Sequence, residues 1–247
     1  MPKNTERPLE RRKVVVLGTS GVGKSCLVDM VSSPLLHLRS HFVLSRSQYT
    51  IGQHSVNYNP TCMQGSTAFL ETDHVVWSLN IEDVNASRLP DYARIMSVVM
   101  QQANGVVLLY DITSQESFDY ITTQGYMYVV GCRQPAREPP GRRFGCVLVG
   151  NKLDLADQKR EVSTEVAQEW ADIQGFDFFE VDTYSQAALR PIFLSLVKSM
   201  AREEKREAEE AAERDRTEWR IGERLSQGVD ALVRGLADMG RKNSVRK

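Results

Sequence analysis

The octapeptide Gly18-Thr19-Ser20-Gly21-Val22-Gly23-Lys24-Ser25 follows directly on the apolar run 14–17 and fits the pattern GxxxxGK(S/T). No other stretch of the 247 residues restricts the fold as tightly. A buried strand must bring the chain to a turn whose glycines let backbone N–H groups curl around an anion. A helix must begin at the far end of that turn, with its positive N-terminal pole towards the same point. Lys24 then reaches the outer phosphates of a nucleotide, and the Ser25 hydroxyl is a ligand for Mg²⁺. Gly18, Ser20, Gly21, Val22, Gly23, Lys24, Ser25 and the following Cys26 are therefore candidates for holding a nucleoside triphosphate. A chance match in a glycine-rich turn is the competing reading. Strand, loop and helix nevertheless fall in the order that phosphate binding needs.

A hydrophobic share of 41% is ordinary for a globular chain, and the length suits one α/β domain with an appendage. The formal net charge of −1 gives no general attraction to nucleic acid, which is not expected as a partner. Cys26, Cys62, Cys132 and Cys146 show no CxxC spacing, and no apolar signal segment precedes the charged start 1–13. A reduced, cytoplasmic protein is the expectation. No run approaches the roughly 18 apolar residues of a membrane-spanning helix.

Runs 14–17, 75–81, 105–110, 145–150 and 176–181 read as strands. The continuous apolar runs at 105–110 and 145–150 suit parallel strands covered on both faces. Helical spacing occupies 24–30, 93–102, 117–130, 165–174 and 191–200. Strands alternating with helices predict a doubly wound, mostly parallel sheet flanked by helices.

After residue 200 the composition turns to Glu, Lys, Arg and Ala, so 201–247 is expected as a charged helical or disordered tail. Leu225, Val229, Leu232, Leu236 and Met239 recur at helical spacing with arginines and lysines around them. That pattern leaves open a basic helix in peripheral contact with a membrane or partner, a helix packed back on the domain, or a frayed end.

Asn151-Lys152-Leu153-Asp154 follows the strand ending at Gly150, at the carboxyl edge where ligands of such sheets sit. A carboxylate there can accept paired hydrogen bonds from guanine N1–H and N2–H₂, which adenine does not offer, so Asp154 is the candidate base reader. With the upstream phosphate loop, this NKxD run resembles the paired signature of the Ras-like small GTPases. The resemblance implies a six-stranded P-loop NTPase domain over 13–200, preceded by an N-terminal extension at 1–12. It implies GTP/GDP and Mg²⁺ as ligands, an exchange factor, an activating protein and effectors as partners, a monomer, and residence in the cytoplasm or at the inner face of a membrane. Tyr58-Asn59-Pro60-Thr61 is similar to the first-switch run of that family, which makes Thr61 the implied magnesium ligand and γ-phosphate sensor and Tyr58 a nucleotide contact. Lys24 and Thr61 are the implied catalytic contributors. Asn151 would brace loops, Lys152 would pack beside the nucleotide, and Asp182 and Thr183 would stand near the base. Counting inward side chains by twos along Trp77, Leu79 and Ile81 leads to Asp83 as the second metal support, with Asn85 as the competing candidate.

The match breaks in the second switch, where the family reads D-x-x-G-Q and this chain reads Asp83-Val84-Asn85-Ala86-Ser87. Losing the glycine that lets an N–H approach the γ-phosphate, and the glutamine that positions water, should slow hydrolysis more than binding. A signalling switch with slow intrinsic turnover is the leading expectation, and a pseudo-GTPase interaction module that binds GTP without turnover is the alternative. An ATP-using P-loop enzyme is a third, weaker reading. The fifth family motif is reduced to Glu180-Val181-Asp182-Thr183-Tyr184, and the end Ser244-Val245-Arg246-Lys247 carries no prenylation cysteine. The stretch between Ser25 and Thr61 is much longer than the resemblance implies, which marks 31–53 as inserted. It reads as a functional or disordered loop. A third reading is a translated intron, since Val31-Ser32 can be encoded by GTGAGT and Gln53 by CAG.

Overall fold

The computed structural model describes residues 7–32, 65–72, 74–88, 93–133 and 144–244. Six strands form one sheet: β1 (Leu9–Gly18), β2 (Gly65–Glu71), β3 (Val76–Asn85), β4 (Gly105–Asp111), β5 (Gly145–Asn151) and β6 (Asp177–Val181). Their order is β2-β3-β1-β4-β5-β6. Among the described residues only the β2–β3 pair is antiparallel. β4 and β5 are buried along their whole length, as expected of central parallel strands covered on both faces. The helices are α1 (Lys24–Ser32), α2 (Ala93–Gln102), α3 (Gln115–Tyr120), α4 (Tyr126–Arg133), α5 (Ala156–Lys159), α6 (Thr164–Gln174) and α7 (Gln186–Ser244).

Alternating side chains divide the core into two clusters. One face joins Val14, Val16, Leu79 and Ile81 to Leu27 and Val28 of α1 and to Leu189, Phe193 and Leu196 of α7. The other joins Val15, Leu17, Leu108 and Tyr110 to Met100 of α2, Val129 of α4, and Ala167 and Ala171 of α6. Gly145 admits α7 closely, because a Cβ there would stand 2.5 Å from the Met200 backbone nitrogen. Ser163 caps α6 by accepting from the Val166 N–H, and Gly175 ends the helix at φ 73°.

Several boundaries differ from the sequence reading for identifiable reasons. β1 begins at Leu9, inside the stretch expected as an extension, and its residues 9–13 pair with 76–80 of β3. The charges of Arg11, Arg12 and Lys13 conceal this first half of the strand. In the fold the Arg12 guanidinium lies 5.2 Å from the Trp77 ring centroid, a cation–π contact that covers apolar surface with an aliphatic stem. β3 continues past Ile81 to Asn85, its polar end reaching the ligand edge. β2 has no counterpart among the expected strands, because Ser66, Thr67 and Glu71 dilute its apolar signal. α1 runs on through Val31 and Ser32, and Val31 is buried in the core, so the stretch expected as inserted begins within the helix. The rest of 31–53 lies outside the described residues. α7 starts five residues before Pro191, whereas proline suggests a first helical position.

Residues up to Glu203 form one compact unit and 204–247 a second. Within the second unit the chain is helical to Ser244, supported by local pairs such as Lys205–Glu209 at 3.8 Å. Trp219, Ile221, Leu225 and Val229 are exposed. Among the described residues no helix is long and apolar enough to cross a membrane.

Candidate functional site

Strand register brings the site together before any side chain is considered. Gly18 lies opposite Asn85, Val16 opposite Asp83, and Asp111 opposite Asn151, which in turn faces Val181. The carboxyl ends of β1, β3, β4, β5 and β6 therefore share one edge. The strand order reverses on either side of β1, the position at which such sheets leave a ligand crevice.

The loop from Gly18 to Lys24 turns through Gly21 at φ 83° and Gly23 at φ 98°, conformations that glycine adopts without a steric penalty. At Gly23 a Cβ would stand 2.2 Å from Asn151 Nδ2, and at Gly18 one would stand 2.5 Å from the Leu109 carbonyl oxygen. The loop is thus a cradle that side chains would fill. Val22 is buried, Ser20 is exposed and Cys26 is half-buried in the first turn of α1. Lys24 is only 5% exposed. Its ammonium donates to the Thr19 carbonyl at 2.8 Å and stands 4.0 Å from Asp83 Oδ1. Burial holds the Lys24 pKa below the usual lysine range, and the Asp83 carboxylate offsets part of that shift. A buried cation paired this incompletely fits an anionic ligand.

The Ser25 hydroxyl donates to Asp83 Oδ2 at 2.6 Å. The expected metal ligand and the expected metal support are therefore adjacent. Asn85, the competing candidate, accepts the Ser87 N–H at 3.1 Å instead. A hydroxyl and a carboxylate beside a phosphate cradle are the oxygen donors that Mg²⁺ takes while it keeps several waters. Tyr58 and Thr61 lie outside the described residues.

On the base side, Asn151 is 2% exposed and joins two loops. Its Nδ2 donates to the Val22 carbonyl at 2.8 Å, and its Oδ1 accepts the Thr183 N–H at 3.2 Å. Lys152 takes φ 69°, a left-handed conformation unusual for a side chain of its size. Its ammonium pairs with Asp111 Oδ2 at 2.5 Å. Asp154 sits exposed in the short turn Leu153–Leu155. Asp182 Oδ1 accepts the Tyr184 N–H at 2.9 Å, and Thr183 is buried beside Asn151.

Two features are absent from the sequence reading. Asp111 anchors Lys152 and also accepts from both the Thr113 N–H and hydroxyl. A carboxylate ending an apolar run in register with Asn151 is the signal that marks it. Arg160 grips Glu180 with two hydrogen bonds, at 2.6 and 2.9 Å. That grip, more than the opposing cost of burial, holds the Arg160 pKa above its usual value. The pair fastens β6 to the segment before α6, and it accounts for a glutamate in an otherwise reduced motif.

A family model described as "Ras family" matches residues 13–202. The chain is 30% identical to the GTP-binding protein yptV2 of Volvox carteri over 188 residues, covering 76% of this chain and 74% of that protein. It is 30% identical to intraflagellar transport protein 27 of Chlamydomonas reinhardtii over 190 residues, covering 73% and 81% respectively. It is 26% identical to the Ras-like protein rasC of Dictyostelium discoideum over 190 residues, covering 77% and 86%.

Proposed function

The chain belongs to the Ras family, and from that premise we propose that it is a guanine-nucleotide switch that binds Mg²⁺·GTP and GDP and hydrolyses GTP slowly. The observation that carries this reading is Asn151, which ties the phosphate loop through Val22 to the base-side loop through Thr183. One buried amide thereby couples the halves that would grip the two ends of one nucleotide.

In this reading the loop amides and Lys24 hold the phosphates, with Cys26 in the helix turn behind them. Burial of Lys24 supports the role, because an anion relieves the cost of keeping that cation out of water. Ser25 and Asp83 would hold the magnesium. Thr61 would add a further metal ligand and Tyr58 a nucleotide contact. Asp154, on its exposed turn, faces a purine edge and reads guanine, while Lys152 lies alongside, oriented by Asp111. Asp182 and Thr183 line the base side. Mg²⁺, when bound, would supply neutralisation of the negative charge on the phosphates. Among residues 83–88 there is no glutamine to orient water, so turnover depends on positioning and an activating partner. The end of the tail that carries Arg220, Arg224 and Arg234 makes a peripheral contact with a membrane or partner in the cytoplasm, and the protein acts as a monomer.

Single-turnover hydrolysis by the purified protein tests the switch. Conversion of bound GTP within minutes to hours supports it. No conversion, even with candidate activating proteins, leaves the GTP-holding interaction module that Ala86 and Ser87 favour.

A further inference from the structure

The turn Ala86–Arg88 follows directly on β3, whose Asp83 stands against Ser25, and it is fastened at three points. The Ala86 side chain is fully buried in the core face that holds Leu17, Val84, Tyr110 and Phe118. The Ala86 carbonyl accepts a hydrogen bond of 3.0 Å from the Tyr120 hydroxyl, 34 residues away in sequence. The Asn85 side chain accepts the Ser87 N–H and so closes the turn locally.

Tyr120 is itself held in a particular orientation. It is the last residue of α3 and immediately precedes a π turn at Ile121–Gly125, after which the helix resumes as α4. One π turn rotates the downstream residues by about 100° around the axis relative to an uninterrupted helix. Tyr120 thus meets the Ala86 carbonyl, while Val129 beyond the bulge still faces the core. The bulge ends at Gly125, where a Cβ would stand 2.8 Å from Ile121 Cδ1.

We propose that Tyr120 and the buried Ala86 methyl latch the turn Ala86–Arg88 in one conformation, so that this turn stays in place whichever nucleotide is bound. Tyr120 acts as a positioning residue through the Ala86 peptide and touches no ligand. A glycine at position 86 would leave that peptide free to rotate. The alanine methyl both restricts the backbone and would have to leave the core for the turn to move. The second half of this inference rests on the switch reading; the latch itself does not.

The test is hydrogen exchange at the amides of residues 86–88 in the full chain, recorded without nucleotide, with GDP, and with a non-hydrolysable GTP analogue. In the native protein the GDP and analogue rates should agree within about twofold, since a latched turn opens equally in both. Tyr120→Phe deletes one neutral hydrogen bond and should speed exchange about fivefold in every state. Ala86→Gly combined with Tyr120→Phe should add about another fivefold and create a difference between the two nucleotides. Melting curves confirm that both variants fold. Tenfold or greater nucleotide dependence in the native protein, on the order of 1.4 kcal/mol, would overturn the proposal. So would unchanged exchange in both variants. Failure of the native protein to bind any guanine nucleotide would instead overturn the switch reading, and the nucleotide-free rates would still judge the latch.

Discussion

Replacing Asn151 with alanine should unfasten the phosphate loop from the base side of the crevice. The amide is 2% exposed, and it bonds both the Val22 carbonyl and the Thr183 N–H. Truncation would leave both backbone groups without that partner in a site too closed for easy solvation. Each orphaned group costs about 1–3 kcal/mol, about 2–6 kcal/mol together, which for a domain of this size lowers the melting temperature by about 4–24 °C. Asn151→Asp provides an internal control. It retains the acceptor for Thr183 but sets a carboxylate oxygen against the Val22 carbonyl, and should destabilise at least as much as alanine. The assay is thermal unfolding of nucleotide-free protein followed by circular dichroism, with nucleotide affinity measured in parallel. Affinity should fall about tenfold or more, since each 1.4 kcal/mol of lost preorganisation is one decade. A melting temperature within about 2 °C of the native value for both variants would refute the bridging role.

Gly23→Ala places a methyl 2.2 Å from Asn151 Nδ2 at a φ of 98°, so it should abolish nucleotide binding and cost at least about 1–3 kcal/mol of stability; calorimetric titration and melting curves check both. Lys24→Met should eliminate nucleotide binding yet raise the melting temperature of the nucleotide-free protein, because it removes a buried cation whose charged form is penalised. The pH dependence carries the same sign. Between the lowered folded value and the ordinary 10.5 the unfolded chain holds more protons, so native stability should gain as pH rises through that window, and Lys24→Met should lose this gain. Arg160→Ala strips Glu180 of its bidentate partner and should destabilise by about 1–3 kcal/mol, read as a shift in urea midpoint at unchanged slope. Asp154→Asn should move binding preference from guanine towards xanthine nucleotides, since an amide donates where the carboxylate accepts; competition binding reads this out.

Much of the fold was visible in periodicity and spacing. The central strands at 105–111 and 145–151 announce themselves as unbroken apolar runs, and α2 at 93–102 coincides with its helical pattern. Side-chain parity along β3 led from Trp77 to Asp83, and Asp83 does stand against Ser25. That works because a strand alternates faces without drift, so a short count carries orientation to its end. The features that escaped are those whose signal is not local. The first half of β1 hid under charged residues such as Arg12, whose guanidinium lies on Trp77, and β2 had too few apolar residues to mark it. Pro191 masked the first turn of α7. Asp111 and Arg160 act on partners 41 and 20 positions away, at Lys152 and Glu180, and nothing in the neighbouring sequence specifies a partner at that distance. The latch between Tyr120 and Ala86 depends on a π turn, a departure from helical spacing that an apolar pattern does not register.

The nucleotide retained by the protein after purification in the presence of Mg²⁺, identified by chromatography of the denatured supernatant, bears most directly on the site built around Lys24, Asn151 and Asp154. Guanine nucleotide at close to one equivalent, displaced by added GDP or GTP and not by ATP, is the predicted result. Protein that carries no guanine nucleotide and takes up none at micromolar concentrations would contradict it.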